Sequence, residues 1–150
     1  MNPAKKNQFL TEKEEQDIVL AIQKAEKETS GEIRVHIENK CKKDPLLRAQ
    51  KVFADLEMQK TELKNGVLVY IASDDHKVAV FGGKAIHDTV EKTFWDDILA
   101  EMIDDFKKGS FKSGIEKAVL SIGDKLKSHF PYKSDDKDEL SNDISFNENS

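Results

Sequence analysis

The sequence lacks the short motifs by which many enzymes and nucleotide-binding proteins are recognised. It has no GxxxxGK[ST], GxGxxG, GxSxG or HExxH segment, and no spacing of Cys and His suits zinc. Cys41 is the only cysteine, which excludes an internal disulfide, and we expect it to be inert and exposed in the basic loop KCKK at residues 40–43. Any catalysis would therefore have to come from carboxylates, acting through a metal ion.

Long apolar runs are also absent. No segment approaches the roughly 18 consecutive apolar residues of a membrane helix, and no apolar stretch follows the first lysines as it would in a secretory signal. The net charge of −5 argues against nonspecific binding to nucleic acid. These absences predict a cytoplasmic protein that neither spans a membrane nor binds nucleic acid, and we expect it to be a monomer.

What the chain does contain is one strongly apolar stretch, GVLVYIA at residues 66–72, followed by the turn residues SDDH and a second apolar run, VAVF. A turn between two runs rich in branched side chains predicts a β-hairpin. The first run carries no charge, which is typical of a strand covered on both faces. Gly82 and Gly83 follow, and we expect them to give the backbone freedom that a Cβ would deny.

A strand and two helices are predicted before this hairpin. The capping-box residues Thr11 and Glu14 begin a first helix, which we expect to end near Thr29. Residues 32–38 alternate between polar and apolar and predict a half-buried strand. Asp44, followed by proline, begins a second helix, so that the first two strands form a parallel βαβ unit.

Two C-terminal helices follow the hairpin. The third helix of the chain is expected to end at Gly109, and Ser110 is expected to cap the fourth. The predicted fold class is therefore α/β, with a small mixed sheet sandwiched between helices and built from a βαβ unit, a hairpin and the two C-terminal helices.

Composition divides the chain into three parts. We expect a flexible N-terminus over residues 1–10, one α/β domain over residues 11–133 and an acidic, disordered tail over residues 134–150. The tail has too few apolar residues to bury enough surface to order itself. In the less favoured alternative, three apolar residues of the tail dock weakly on the domain: Leu140, Ile144 and Phe146.

Topology predicts where a site would lie. Strand three returns antiparallel, so its end meets the starts of strands one and two at one edge of the sheet. That edge gathers carboxylate and amide oxygens, the hard ligands that Ca²⁺ and Mg²⁺ prefer. Asp96 and Asp97 join them only if the third helix crosses this edge. The predicted metal ligands are Glu32, Asn65, Asp88, Asp96 and Asp97.

Each of these residues also has a structural interpretation. Glu32 can pair with a surface cation, Asp88 can cap the third helix, and at least one of Asp96 and Asp97 is better explained as part of a solvated helix face. His87 is the candidate general base, although a surface histidine without a catalytic role is the commoner case.

A second acidic pair lies at the opposite end of the hairpin. Asp74 and Asp75 are in the turn, and Glu38 and Asn39 end strand one at the same end. They form a weaker candidate cation site, with a plain hairpin turn as the favoured interpretation. His36, on the polar face of strand one, has no visible partner, and we assign it no role.

Several segments resemble the TPM domain family. SGEIRV at residues 30–35 resembles its first-strand motif, and TELKNGVLVY at residues 61–70 resembles its T-x-x-[RK]-N-G-V-L segment. FWD, FKKG and HFP, in this order, resemble later motifs of a soluble branch of the family. The resemblance implies an α/β sandwich, divalent metals bound in loops near the sheet edge and, in some members, phosphate hydrolysis.

One departure from the family pattern concerns the metal site. Members of this branch tend to read GDxGI after strand three, where this chain reads GGKAI. Gly83 thus stands where an acid is expected, which removes a possible ligand but leaves Glu32, Asn65 and Asp88 available.

Three functional hypotheses follow. The leading one is a soluble TPM-type domain that binds Ca²⁺ or Mg²⁺ and acts as a metal-dependent binding or regulatory module. The first alternative is a metal-dependent phosphohydrolase acting on a phosphorylated small molecule, in which the cation polarises the phosphoryl oxygen. The second is a module that binds a protein partner through its acidic tail.

Overall fold

A computed structural model of the chain describes residues 9–61, 63–132 and 141–147. The helices are α1 (Glu12–Glu26), α2 (Pro45–Asp55), α3 (Lys84–Thr89), α4 (Lys92–Lys107) and α5 (Phe111–His129), with a 3₁₀ turn at Met58–Lys60. The strands are β1 (Glu32–Glu38), β2 (Gly66–Ala72), β3 (Lys77–Gly82) and β4 (Ser145–Asn147). Over these residues, no helix has the length and apolar character needed to cross a membrane.

The strands form one mixed sheet in the order β3-β2-β1-β4. β1 and β2 are parallel, with Glu32 opposite Gly66 and Glu38 opposite Ala72. β2 and β3 form the antiparallel hairpin, and β4 pairs in parallel with the other edge of β1. The predicted α/β class, the βαβ unit and the hairpin are confirmed.

Two apolar cores cover the two faces of the sheet. The larger core includes Val35 and packs the sheet against α1, α4 and α5. The smaller core includes Tyr70 and Phe53 and packs the other face against α2. Because both faces are covered, His36 and Glu38 are only 4% and 0% exposed. The prediction of a half-buried first strand was wrong, since six of the seven residues of β1 are buried.

The first two helices begin where the sequence signals them. The hydroxyl of Thr11 accepts the backbone N–H of Glu14, whose carboxylate accepts the N–H of Thr11 in return, and Asp44 caps α2. α1 ends three residues before Thr29, earlier than expected. Thr29 instead forms an isolated antiparallel bridge with Pro131, which ties the end of α1 to the end of α5.

The stretch after β3 also differs from the prediction. Extended backbone at Val90 separates a short helix, α3, from α4. Asp88 lies inside α3, and Glu91 occupies the N-cap position of α4. Ser110 occupies the N-cap position of α5 without a side-chain capping bond. The capping role expected for Asp88 is therefore wrong, whereas Ser110 lies at the expected N-cap position but makes no capping bond through its side chain.

The C-terminal segment corrects the expectation of a wholly disordered tail. Residues 141–147 contribute β4, and Ile144 and Phe146 pack against the larger core. Side chains alternate across a strand, so these two share one face while Ser145 points to the other. Averaged composition hid this short alternating pattern. Leu140 and most of the segment expected to be a flexible N-terminus lie outside the described residues.

Candidate functional site

Each end of the parallel strand pair holds a buried carboxylate of β1. Glu32, the first residue of β1, is 3% exposed, and Glu38, the last, is 0% exposed. We call the first region, with Asn65, Gly83 and helix α3, the Glu32 end. We call the other, with Arg48 and the loop at residues 40–44, the Glu38 end. Burying a carboxylate costs several kcal/mol unless it is partnered, so each end needs a physical account.

Backbone hydrogen bonds hold the Glu32 end together. The N–H of Glu32 donates to the carbonyl of Asn65 at 3.3 Å, and the N–H of Gly83 donates to the start of β2 at 2.8 Å. The N–H of Ala85, in α3, donates to the carbonyl of Lys64 at 3.1 Å. These bonds join the starts of β1 and β2 to the end of β3, as the topology predicted.

The Glu32 end has both buried and exposed polar side chains. Asn65 is 1% exposed, and its Nδ2 donates to Oγ of Ser30 at 3.4 Å. Asp88 is exposed on α3 and pairs with Lys84 at 2.8 Å, and the hydrogen bond from that lysine lowers the pKa of Asp88. His87, the candidate base, is exposed next to Asp88.

The remaining predicted ligands lie on α4. Asp96 and Asp97 are both exposed, and Asp96 pairs with Lys92 of its own helix at 2.9 Å. Within the described ranges, no three His, Cys, Asp or Glu side chains are grouped closely enough to hold a metal ion. The four predicted carboxylates are thus not gathered into one preformed cluster, and metal binding at the Glu32 end stays a prediction.

The Glu38 end contains a hydrogen-bond network that the sequence analysis missed. The carboxylate of Glu38 accepts hydrogen bonds from Nε and Nη2 of Arg48, at 2.7 and 2.9 Å, and from the hydroxyl of Tyr70. Nε2 of His36 lies 3.0 Å from the same carboxylate, and its Nδ1 lies 2.8 Å from Oγ of Ser145. The network links β1, α2, β2 and β4.

Within this network, the pKa values of Glu38, Arg48 and Tyr70 are shifted. Burial alone would raise the pKa of Glu38, but hydrogen bonds from Arg48, His36 and Tyr70 outweigh it and lower that pKa to about 2. The hydrogen bond to Glu38 raises the pKa of Arg48. Burial, then the bond to Glu38, raises the pKa of Tyr70. At neutral pH Glu38 is an anion with its partners in place, so its role is structural.

A signal for this network was present in the sequence. Tyr70 lies in the middle of an otherwise apolar strand, and a buried tyrosine hydroxyl needs a partner. On the polar side of β1, His36 and Glu38 were the nearest candidates by register. No local spacing pointed to Arg48, because α2 brings it to Glu38 only through tertiary packing.

Side chains of the hairpin hold the backbone of the loop at residues 40–44 in place. Oδ2 of Asp75 accepts the backbone N–H of Cys41 at 2.6 Å, while Asp74 is exposed. Nζ of Lys77 donates to the carbonyls of Cys41 and Lys43, at 2.8 and 3.4 Å. Asp75 therefore has a structural task in the turn. Cys41 is 3% exposed, so the expectation of an exposed cysteine was wrong.

Known proteins share the sequence pattern and the architecture of this chain. The profile of the TPM domain matches residues 4–125. The chain belongs to the TPM domain family. It is 45% identical to BA42 protein from the psychrophilic bacterium Bizionia argentinensis sp. nov., whose NMR structure superposes with a TM-score of 0.87. The match covers 96% of this chain and 100% of that one. No curated protein matches the sequence.

Two more distant structures share the fold of this TPM domain. The N-terminal domain of the cg2496 protein from Corynebacterium glutamicum is 13% identical, with a TM-score of 0.62 and coverage of 78% of this chain and 74% of that one. The N-terminal domain of a protein from P. gingivalis is 15% identical, with a TM-score of 0.65 and coverage of 82% and 80%. At these identities the likeness shows the fold alone.

At Gly83, the backbone of this chain leaves no room for a side chain. A Cβ there would lie 2.7 Å from the carbonyl oxygen of Lys64, a backbone atom. The φ of −65° and ψ of 180° at Gly83 are open to any residue. Space, not conformational freedom, therefore requires the glycine, which corrects the expectation from the sequence. Lys64 itself is left-handed, with φ of 56°.

Proposed function

We propose that this TPM domain binds Ca²⁺ or Mg²⁺ at the Glu32 end and acts as a metal-dependent regulatory module. The observation that carries the proposal is that three side chains with oxygen donors, Glu32, Asn65 and Asp88, belong to elements that backbone hydrogen bonds join at this end. Carboxylate and amide oxygens are ligands that both cations accept in proteins.

The donor chemistry fits a hard cation. Glu32 and Asp88 offer carboxylate oxygens, and Asn65 offers an amide oxygen because its Nδ2 is the atom turned to Ser30. Since no cluster of three acidic, imidazole or thiol groups lies within the described residues, backbone carbonyls and water would complete the shell, as both cations accept. Asp88 would have to leave Lys84, but an exposed pair of this kind is weak.

The regulatory part of the proposal concerns α3. A bound cation would supply a cross-link between the sheet and this helix of six residues. α3 is connected to the start of β2 through the bond from Ala85 to Lys64, so a cation at this end would favour one position of the helix. Binding free energy that differs between two positions of α3 would shift their populations.

Calorimetric titration with Ca²⁺ and Mg²⁺ tests the proposal. We expect saturable binding to the wild type, at least tenfold weaker binding to Glu32→Gln and weaker binding to Asp88→Asn. Glu101→Gln, which removes an exposed acid of α4, is the matched control and should bind as the wild type does. Unchanged binding in both Glu32→Gln and Asp88→Asn contradicts the proposal. Asp88 is exposed, so its variant stays informative if Glu32→Gln folds poorly.

The same protein preparations decide between binding and turnover. A generic phosphate ester is incubated with the wild type, with and without Mg²⁺, and with the His87→Ala variant. Turnover that needs the metal and is lost in His87→Ala would establish the phosphohydrolase alternative. Saturable metal binding without turnover fits the regulatory module.

The interaction-module alternative also stays a prediction. Much of the acidic tail lies outside the described residues, and within the described part Ile144 and Phe146 pack against the domain itself.

A further inference from the structure

We propose that the Glu38 end carries a second site, which binds a small polyanion of the diphosphate class. The site is a groove of about 420 Å³ beside α2, within the size range of small-molecule sites. This proposal goes beyond the cation site at the Glu32 end and does not depend on it. Five of the residues that line the groove are basic: Lys40, Lys42, Lys43, Arg48 and Lys51.

The groove concentrates positive charge in an acidic chain. The net charge of the protein is −5, yet none of the described residues that line this groove is a carboxylate. Lys51 pairs with Asp55 and Arg48 pairs with Glu38. In the part of the chain that the structure describes, neither Lys42 nor Lys43 forms an ion pair through its ammonium group. Like charges held together repel, and a bound anion would relieve that repulsion.

The loop that carries these lysines is fixed by its backbone. Asp75 accepts the N–H of Cys41, and Lys77 donates to the carbonyls of Cys41 and Lys43. The thiol of Cys41 also donates to the carbonyl of Lys43, at 3.2 Å. None of these bonds uses the side chain of Lys42 or Lys43. The loop is therefore held in place while the two ammonium groups stay available to a ligand, which lowers the entropic cost of binding.

Arg48 gives the groove a fixed planar donor. Its side chain is 18% exposed, and Glu38 occupies Nε and Nη2. The two bonds to Glu38 do not use Nη1, and they hold the guanidinium plane in one orientation at the groove. Leu47, which is 59% exposed, also lines the groove and provides an apolar surface for the rest of the ligand.

The size of the groove and the charge of the chain select the ligand class. Two closely spaced anionic groups would contact several of the five cations at once, whereas one phosphate would contact fewer. A nucleic-acid strand would extend past the groove onto a protein of negative net charge. Inorganic pyrophosphate is therefore the probe, with inorganic phosphate as the weaker comparison.

The experiment compares two double variants in metal-free buffer at physiological salt. Lys42→Gln/Lys43→Gln removes two charges from the groove. The control, Lys107→Gln/Lys108→Gln, removes the charges of two lysines that are adjacent in sequence at the end of α4 and do not line the groove. We expect pyrophosphate to bind the wild type saturably and to raise its melting temperature. Binding should be at least tenfold weaker to the first variant and unchanged for the second. Without ligand, the first variant should be no less stable than the wild type.

Two results would overturn the proposal. One is the absence of saturable pyrophosphate binding to the wild type at physiological salt. The other is equal weakening in both double variants, which would indicate diffuse charge attraction instead of a site. Because no metal is present, neither result bears on the cation site at the Glu32 end, and failure of that site leaves this one untouched.

Discussion

Two carboxylates of one strand, equally buried, have different surroundings. Glu38 is enclosed by a guanidinium, a phenol and an imidazole, and its charge is neutralised by a partner from α2. Glu32 lies where backbone hydrogen bonds join β1, β2 and α3, and its own N–H donates to the carbonyl of Asn65. Burial alone therefore does not mark a functional residue. The fixed donors around Glu38 give that carboxylate a structural role, while the cation site at the Glu32 end is a proposal that titration tests.

The largest effect is expected when Arg48, the cation paired with Glu38, is removed. Arg48→Ala should lower the free energy of unfolding by about 3–5 kcal/mol, because it leaves the Glu38 carboxylate buried without its counter-charge. Urea unfolding followed by circular dichroism measures the change. Lys51→Ala on the same helix breaks only an exposed pair with Asp55 and should stay within about 0.5 kcal/mol of the wild type. A similar loss of unfolding free energy in both variants would contradict the claim that the buried charge of Glu38 depends on Arg48.

Acid should remove the same stabilisation. The pKa of Glu38 is lowered from 4.5 in the unfolded chain to about 2 in the fold. Its contribution is therefore complete above pH 4.5, is lost as the pH falls towards 2, and amounts to about 3 kcal/mol. Between pH 5 and pH 2.5 the unfolding free energy of the wild type should fall more steeply than that of Glu38→Gln. Parallel curves for the two proteins would contradict the assignment, and Glu101→Gln should follow the wild type.

At the Glu32 end, a substitution at Gly83 tests the close packing of its backbone against that of Lys64. Gly83→Ala places a Cβ 2.7 Å from the Lys64 carbonyl, and overpacking of this kind costs about 1–3 kcal/mol. The shift of α3 that relieves the clash should also weaken Ca²⁺ binding. Gly109→Ala is the control, since it has open space and only a left-handed backbone to penalise it. It should lose stability without changing Ca²⁺ affinity, and an equal loss of affinity in both variants would count against the site.

The smallest expected effect concerns the docking of β4. Ser145→Ala removes the hydroxyl that contacts Nδ1 of His36 and should cost about 0.5–1.5 kcal/mol. The ring resonances of His36 should move in NMR spectra, while those of His87 at the other end of the sheet should not. Unmoved His36 resonances would mean that β4 does not hold this contact in solution.

The architecture was largely readable from the sequence because its signals are local. The capping box at Thr11, the apolar run at residues 66–72 and the N-cap aspartate Asp44 each act within a few residues. Their order gave the βαβ unit and hairpin, and the topology then placed the glycines of β3 beside the starts of β1 and β2. Strand β4 was not foreseen, because three residues pairing with β1 leave almost no compositional signal.

The sites were less readable because they depend on tertiary packing. The partner of Glu38 comes from α2, ten residues along the chain and with no periodic relation to it. From the sequence, Gly83 was expected to provide backbone freedom. The reason for the glycine is the nearby carbonyl of Lys64, which only the three-dimensional structure reveals. The ion pairs of Asp88 and Asp96 with lysines four residues earlier were within reach of the sequence, because that spacing places them on one helix face.

The most direct test of the account is a titration of ¹⁵N-labelled protein with Ca²⁺, followed residue by residue. A cation bound at the Glu32 end should give saturable shifts around Glu32, Asn65 and residues 83–88, with little change at Glu38 or Arg48. Saturable shifts confined to Asp74 and Asp75, or only small unsaturated shifts spread over the acidic surface, would contradict the assignment of the cation site to the Glu32 end.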